Sequence, residues 1–161
     1  MAVVAAFTRV ILTAPAEPYR YLAKRNVPEM IDRAEMMTAI IATCPDFAVA
    51  YDAFVAEWQD EPDTPYYLAL ADFSRHVISL LENGDRQYLH AAFDTIEQLH
   101  TEGDNYVREA ATIGILESLQ NMNLHSSTKP EQFLEFLRPE SLRYWRKVED
   151  FWQNGTIVTD D

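Results

Sequence analysis

Glycine is scarce in this sequence, with four residues at 84, 103, 114 and 155. Glycines so far apart make neither a phosphate-cradling loop nor a dinucleotide fingerprint, so the nucleotide-binding motifs are excluded. A sandwich or barrel, which needs many tight turns, is excluded with them. The one cysteine, Cys44, has no partner for an internal disulfide, and there is no Cys-x-x-Cys pair for zinc or redox work. That usage fits a reducing compartment, and the cytoplasm is the expected location. Basic residues are the third shortage: 13 Lys and Arg stand against 26 Asp and Glu, for a formal charge of −13. Tracking a phosphate backbone takes clustered Lys and Arg, so direct nucleic-acid binding is not expected and a basic protein partner is. No uninterrupted apolar run reaches the length of a membrane span, and no membrane role is expected of the main domain.

What remains is a chain of 161 residues with 48% hydrophobic side chains, enough for one core and too little for two ordinary domains. Its apolar residues recur at spacings of three and four, the period of a helix with one buried face. Residues 28–43 place Met30, Ile31, Ala34, Met37 and Ile41 on one side. Pro45 then breaks the helix, and Asp46 is placed to cap the next, which carries Phe47, Tyr51, Phe54, Val55 and Trp58 up to the acidic loop Asp60 to Pro65. A longer helix follows to Asn83, with Tyr67, Leu70, Phe73 or Ser74, Val77 and Leu81 as its stripe. Gly84-Asp85 is a stop and start signal that recurs, one helix later, as Gly103-Asp104. Between those joints Leu89, Ala92, Phe93, Ile96 and Leu99 form an apolar face.

The segment 105–122 carries Val107, Ala110, Ala111, Gly114 and Leu116, small enough for another helix to approach closely, and reads as a central helix. Pro130 opens a short helix with Phe133, Phe136 and Leu137. Pro139 opens the last, with Leu142, Trp145, Val148 and Trp152 facing inward. The fold expected is all-α: an antiparallel bundle of about six to eight helices over residues 29–154, with no sheet beyond an incidental pair of residues. Residues 155–161 read as a loose tail. Residues 1–28, basic through Arg9, Arg20, Lys24 and Arg25 against Glu17 alone, read as an N-terminal arm or short helix. An organellar or lipid-surface address is the alternative for that segment, and the charge shift near Pro28 also suits a translation start at Met30.

The polar residues offer little catalytic pattern. His76, His90, His100 and His125 lack the spacing of a zinc motif, and His100 falls in a last helical turn, where a partly charged imidazole suits the helix dipole. Cys44 reads as a free thiol in or near the core. Glu109 and Glu117, eight residues apart on one helix, are placed to share a side, but a di-iron site needs Glu-x-x-His on each of two partner helices, a set the sequence does not supply. Glu117 reads instead as a partly buried carboxylate bonded to a neighbouring helix or to an arginine. No catalytic residue, cofactor or metal is therefore expected. The outstanding feature outside the core is the absence of any Lys or Arg between Arg33 and Arg75. Asp46, Asp52, Glu57, Asp60, Glu61, Asp63 and Asp72 lie there among the aromatics Trp58 and Tyr66. These residues form either a solvated acidic face or an interface, in which aromatics anchor a basic partner and carboxylates steer it. On the second reading Asp46, Asp52, Glu57, Asp60, Glu61, Asp63 and Tyr66 contact the partner.

Two runs carry a family likeness in the middle of the chain: Leu70-Ala71-Asp72-Phe73 leading to Gly84-Asp85, and Phe93-Asp94-Thr95-Ile96-Glu97 leading to Glu102-Gly103-Asp104. It continues through Ile113-Gly114-Ile115-Leu116-Glu117-Ser118-Leu119-Gln120-Asn121 to Leu137-Arg138-Pro139-Glu140-Ser141, Trp145 and Phe151-Trp152. On these residues the segment from Tyr66 to Trp152 resembles a family of small helical bacterial domains that recur beside polymorphic toxins and include toxin-immunity proteins. The resemblance implies a non-enzymatic inhibitor that docks on a cognate protein toxin, acidic because the toxin is basic. The alternatives are a helical scaffold or regulatory adaptor and, third, a metal-dependent helical-bundle enzyme.

Overall fold

The computed structural model describes residues 30–160, and the N-terminal arm or helix expected over 1–28 lies outside the described residues. The architecture is all-α: α1 (Met36–Thr43), α2 (Ala48–Glu57), α3 (Tyr66–Asn83) and α4 (Arg86–Glu102) come first. A continuous rod follows, built of α5 (Asn105–Glu109), a π-helical segment (Ala110–Leu116) and α6 (Glu117–Gln120), and α7 (Pro139–Asn154) closes the bundle. Single 3-10 turns occupy Pro45–Phe47, Met122–Leu124 and Pro130–Phe133. Among the described residues the one β-type contact is an isolated bridge between Ile31 and Gly103, and no single helix is long and apolar enough to cross a membrane.

The two glycine joints work by different means. Gly84 ends α3 in the left-handed region at φ 75°, where a side chain is strained, and its N–H donates to the carbonyls of Leu80 and Leu81. Gly103 is extended instead. A Cβ there would collide with the Leu99 carbonyl and the Val107 side chain, so glycine serves close approach at this joint. Asp104 caps the following helix by accepting from the Val107 N–H at 2.9 Å. Both joints fold neighbouring helices back on each other, and α3, α4 and the central rod pack side by side.

The central rod lies where its small residues put it. Gly114 faces Leu70 of α3, and a methyl group on it would come within 2.8 Å of the Leu70 Cδ1. Around that contact the core collects Phe73, Val77, Phe93, Ile96, Leu119 and Trp145, all essentially without exposure. The N-terminus of α7 is held by Glu97 of α4, whose carboxylate accepts from the backbone N–H groups of Glu140 and Ser141 at 3.0 and 2.8 Å. A carboxylate there satisfies orphan donors and faces the positive end of the helix dipole.

Several expectations need correction. Among the described residues the first helix starts at Met36, and residues 30–35 of the expected helix stay outside it, because Ile31 spends its backbone groups on Glu102 and Asp104 and Asp32 ties the next turn by accepting from Ala34 and Glu35. Its buried face is Met36, Met37 and Ile40, while Met30 and Ala34 are exposed. At Cys44 the chain turns by 110°, and Asp46 makes no cap. Val55 and Tyr67 are exposed, and Leu80 is buried where Leu81 was expected. Trp152 is 61% exposed, because the last turn of α7, residues 151–154, runs past the layer it packs on. The C-terminal tail has no regular secondary structure, but it is pinned: Asp160 accepts from the Tyr144 hydroxyl at 2.8 Å and pairs with Arg108 at 3.0 Å.

Candidate functional site

The stretch without cations folds into α1, α2, the loop 58–65 and the first half of α3, and the structure divides its acids into two groups. Asp46 is engaged within the fold, its carboxylate 2.5 Å from the Nε2 of His76, and Asp72 pairs with Arg75 at 2.8 Å. Tyr66 and Trp58 are half-buried against the core, not exposed. The Arg33 guanidinium covers the rings of Tyr66 and Tyr106 at 5.1 and 5.2 Å. Asp46 and Tyr66 thus already have partners within the protein, although both keep part of their surface exposed.

Asp52, Glu57, Asp60, Glu61 and Asp63 remain together on the outer side of α2 and its following loop, all exposed. Among the described residues none of their carboxylates has an ion-pair or hydrogen-bond partner. The same helix exposes Val49 by 80% and also leaves Val55 in water, and Phe54 is its one fully buried side chain. A helix apolar on most of its circumference normally has a partner on more than one side. Here the outer side is free among the described residues, with carboxylates at its C-terminal end. The acidic pattern was legible in the sequence, whereas the two exposed valines were not, since Val55 matched the buried stripe.

A second surface went unread in the sequence. The π-helical segment borders two adjoining hollows of about 510 and 640 Å³, which share Ile113 and Glu117 in their walls. Glu109 and Glu117, expected on one side of the rod, do line the same hollow. The bond expected for Glu117 is not there: its carboxylate has no partner among the described residues, and burial raises its pKa above the usual carboxylate value. Arg108 turns instead to Asp160, Asn105 and the Gly103 carbonyl. Glu109 accepts from the Tyr67 hydroxyl at 3.3 Å, and burial with the nearby carboxylate pushes that phenol up to about 12.

The other titratable groups serve packing. His100 is buried, stacked on Tyr144, its Nδ1 2.8 Å from the Ile96 carbonyl and its Nε2 3.1 Å from the Thr112 hydroxyl. A carbonyl only accepts, so Nδ1 carries a proton, while Nε2 shares the Thr112 hydroxyl with the Arg108 carbonyl, to which that hydroxyl donates at 2.9 Å. Burial lowers the His100 pKa, which corrects the partly charged imidazole expected at a helix end. Glu97 and His100 stand at one Glu-x-x-His spacing, but the glutamate caps α7 and the imidazole lies among core residues. His90 packs on Phe136, and His125 bonds Thr128 and the Leu119 carbonyl. Among the described residues no group of three or more His, Cys, Asp or Glu is arranged to hold a metal ion. Cys44 is buried beside the Thr95 hydroxyl, and burial pushes its thiol up to about 11, away from the reactive thiolate.

Fold and surfaces together define an all-α bundle domain with an acidic outer helix and an apolar, acid-lined groove. Residues 37–153 match the family described as Domain of unknown function (DUF7674), and the chain belongs to that family. No curated protein and no solved structure matches it.

Proposed function

We propose that this protein is a cytoplasmic immunity protein, which neutralises a basic bacterial toxin by one-to-one binding and without catalysis. The observation that carries the reading is the outer side of α2 and its loop, where Asp52, Glu57, Asp60, Glu61 and Asp63 stand exposed and unpaired among the described residues beside Val49 and Val55. Carboxylates in that arrangement attract a basic surface at long range, and the valines supply apolar area for the contact itself. A toxin that acts on nucleic acid is basic where it holds phosphate, so an acidic face covering that surface blocks it without chemistry. The likeness of the segment from Tyr66 to Trp152 to immunity-type domains supports the same reading.

The test is co-expression with a toxin encoded beside this gene, followed by binding kinetics on the purified pair. The wild-type protein is expected to restore growth and form a one-to-one complex. Asp60→Lys, Glu61→Lys and Asp63→Lys together are expected to slow association and weaken its dependence on salt while the fold stays intact. Single reversals contribute less than about 1 kcal/mol each, so the triple change is the fair comparison. Full protection by the triple variant with an unchanged on-rate at low salt overturns the placement of the interface. Absence of any complex with the neighbouring toxin overturns the function.

A further inference from the structure

The groove along the π-helical segment has features of a binding site that packing alone does not explain. A π-helical turn is rare and is found frequently at functional sites. Here it brings Ile113 out to solvent while Thr112 and Gly114 on either side stay buried. The opposite wall is α7 and the pinned tail, and the overhanging last turn of α7 carries Phe151 and Trp152, whose rings meet edge to face at 5.3 Å. Met122 and Ile157 are exposed at the two ends of the groove. Apolar side chains of this size gathered at one hollow mark a contact surface.

The charge of the groove points to its occupant. Neither hollow is lined by a lysine or an arginine, and the lining acids are Glu109, Glu117 and Asp160. Asp160 is satisfied by Arg108 and Tyr144, and Glu109 receives the Tyr67 hydroxyl. Glu117 alone among the three lacks a partner among the described residues, though it stands in a partly dry wall. A carboxylate so placed is stabilised by an arriving cation more than one in water is. The stems of lysine and arginine are apolar, and their heads are attracted to aromatic faces, as a wall of Ile113, Phe151 and Trp152 requires.

We infer that this groove is a docking site for a segment of another protein presenting a lysine or arginine between apolar side chains. The cation lies on Glu117, and the apolar flanks lie on Ile113, Phe151 and Trp152. No residue of α2 or of the loop 58–65 lines the groove, so the inference stands apart from the reading of the acidic face.

The experiment uses the full chain and a leucine-lysine-leucine tripeptide blocked at both ends, with versions carrying glutamine or glutamate in place of lysine. Binding is followed by NMR shifts of the Ile113 and Glu117 amides and of the Trp152 indole. The lysine peptide is expected to shift these signals and to bind roughly tenfold more tightly than the glutamine version, the share of one charged hydrogen bond. Glu117→Gln is expected to erase that preference without lowering the melting temperature, because it removes an unpaired carboxylate. The triple reversal at Asp60, Glu61 and Asp63 is expected to change nothing here. Equal binding of the lysine and glutamate peptides overturns the inference, as does a lysine preference that survives Glu117→Gln. Absence of shifts in the groove, or the same shifts appearing on self-association of the chain without peptide, overturns it too.

Discussion

His100 shows how little a residue's position along a helix says about its charge. In sequence it stands in the last turn of α4, where an imidazolium is favoured, yet the bundle closes over it and leaves one carbonyl and one hydroxyl as partners. Burial disfavours the charged form, so the folded pKa lies below the unfolded value of about 6.5. The consequence for stability has a definite sign: the unfolded chain takes up the proton first as pH falls. Stability from this group is complete above about pH 6.5 and declines from there down to the lower folded pKa. Urea midpoints between neutral and mildly acid pH are expected to fall for the wild-type protein, and His100→Gln is expected to flatten that slope. An identical slope in the variant assigns the acid sensitivity elsewhere. Glu117, on the central rod, has a raised pKa and acts in the opposite direction, so the comparison between variants, not the raw slope, isolates His100.

At the level of elements, the sequence was most legible where chain chemistry is local. Gly84-Asp85 and Gly103-Asp104 mark real helix ends, and Pro139 starts α7 where it should, because left-handed glycines, extended joints and first-turn prolines act within a few residues. Boundaries decided by distant partners were not legible. Residues 30–35 have helical spacing, but the pairing of Ile31 with the Glu102 to Asp104 segment holds them out of the helix. The π-helical turn escaped for another reason: over seven residues its apolar positions match a 3.6-residue period as well as a wider one. The small residues did announce the close contact, and that contact is testable. Gly114→Leu must displace Leu70 or spread α3 from the rod, so a loss of about 1–3 kcal/mol is expected in denaturant unfolding. Leu70→Ala combined with Gly114→Leu is expected to recover part of it, since the pair shares one space. No recovery in the double variant means that the rod and α3 do not meet there.

Over the whole molecule the acid surplus was legible as a count but not as a surface. Composition gives −13, and only coordinates show that Asp46 and Asp72 are paired, that Arg33 covers Tyr66, and that five acids of the outer helix and loop are left unpaired among the described residues. The groove was invisible for a related reason, as its walls come from the central rod, α7 and the tail, and Trp152 matched the buried stripe of its helix. The surface charge carries a prediction in which stability and binding respond to salt in opposite directions. Like charges crowded on a folded protein repel one another more than on an expanded chain, and salt shortens the range of that repulsion from about 30 Å at 0.01 M to about 8 Å at 0.15 M. The melting temperature of the free protein is therefore expected to rise as sodium chloride is added over that range, while association with a basic partner slows. Asp60→Lys, Glu61→Lys and Asp63→Lys remove much of the local surplus, so the triple variant is expected to melt higher at low salt and to respond less to added salt. A wild-type melting temperature that falls with salt means that attractive pairs such as Arg86 with Glu135 and Arg138 with Asp94 outweigh the repulsion. In that event the unpaired carboxylates of the α2 face are too well solvated to repel one another, and their pull on a basic partner is weak as well.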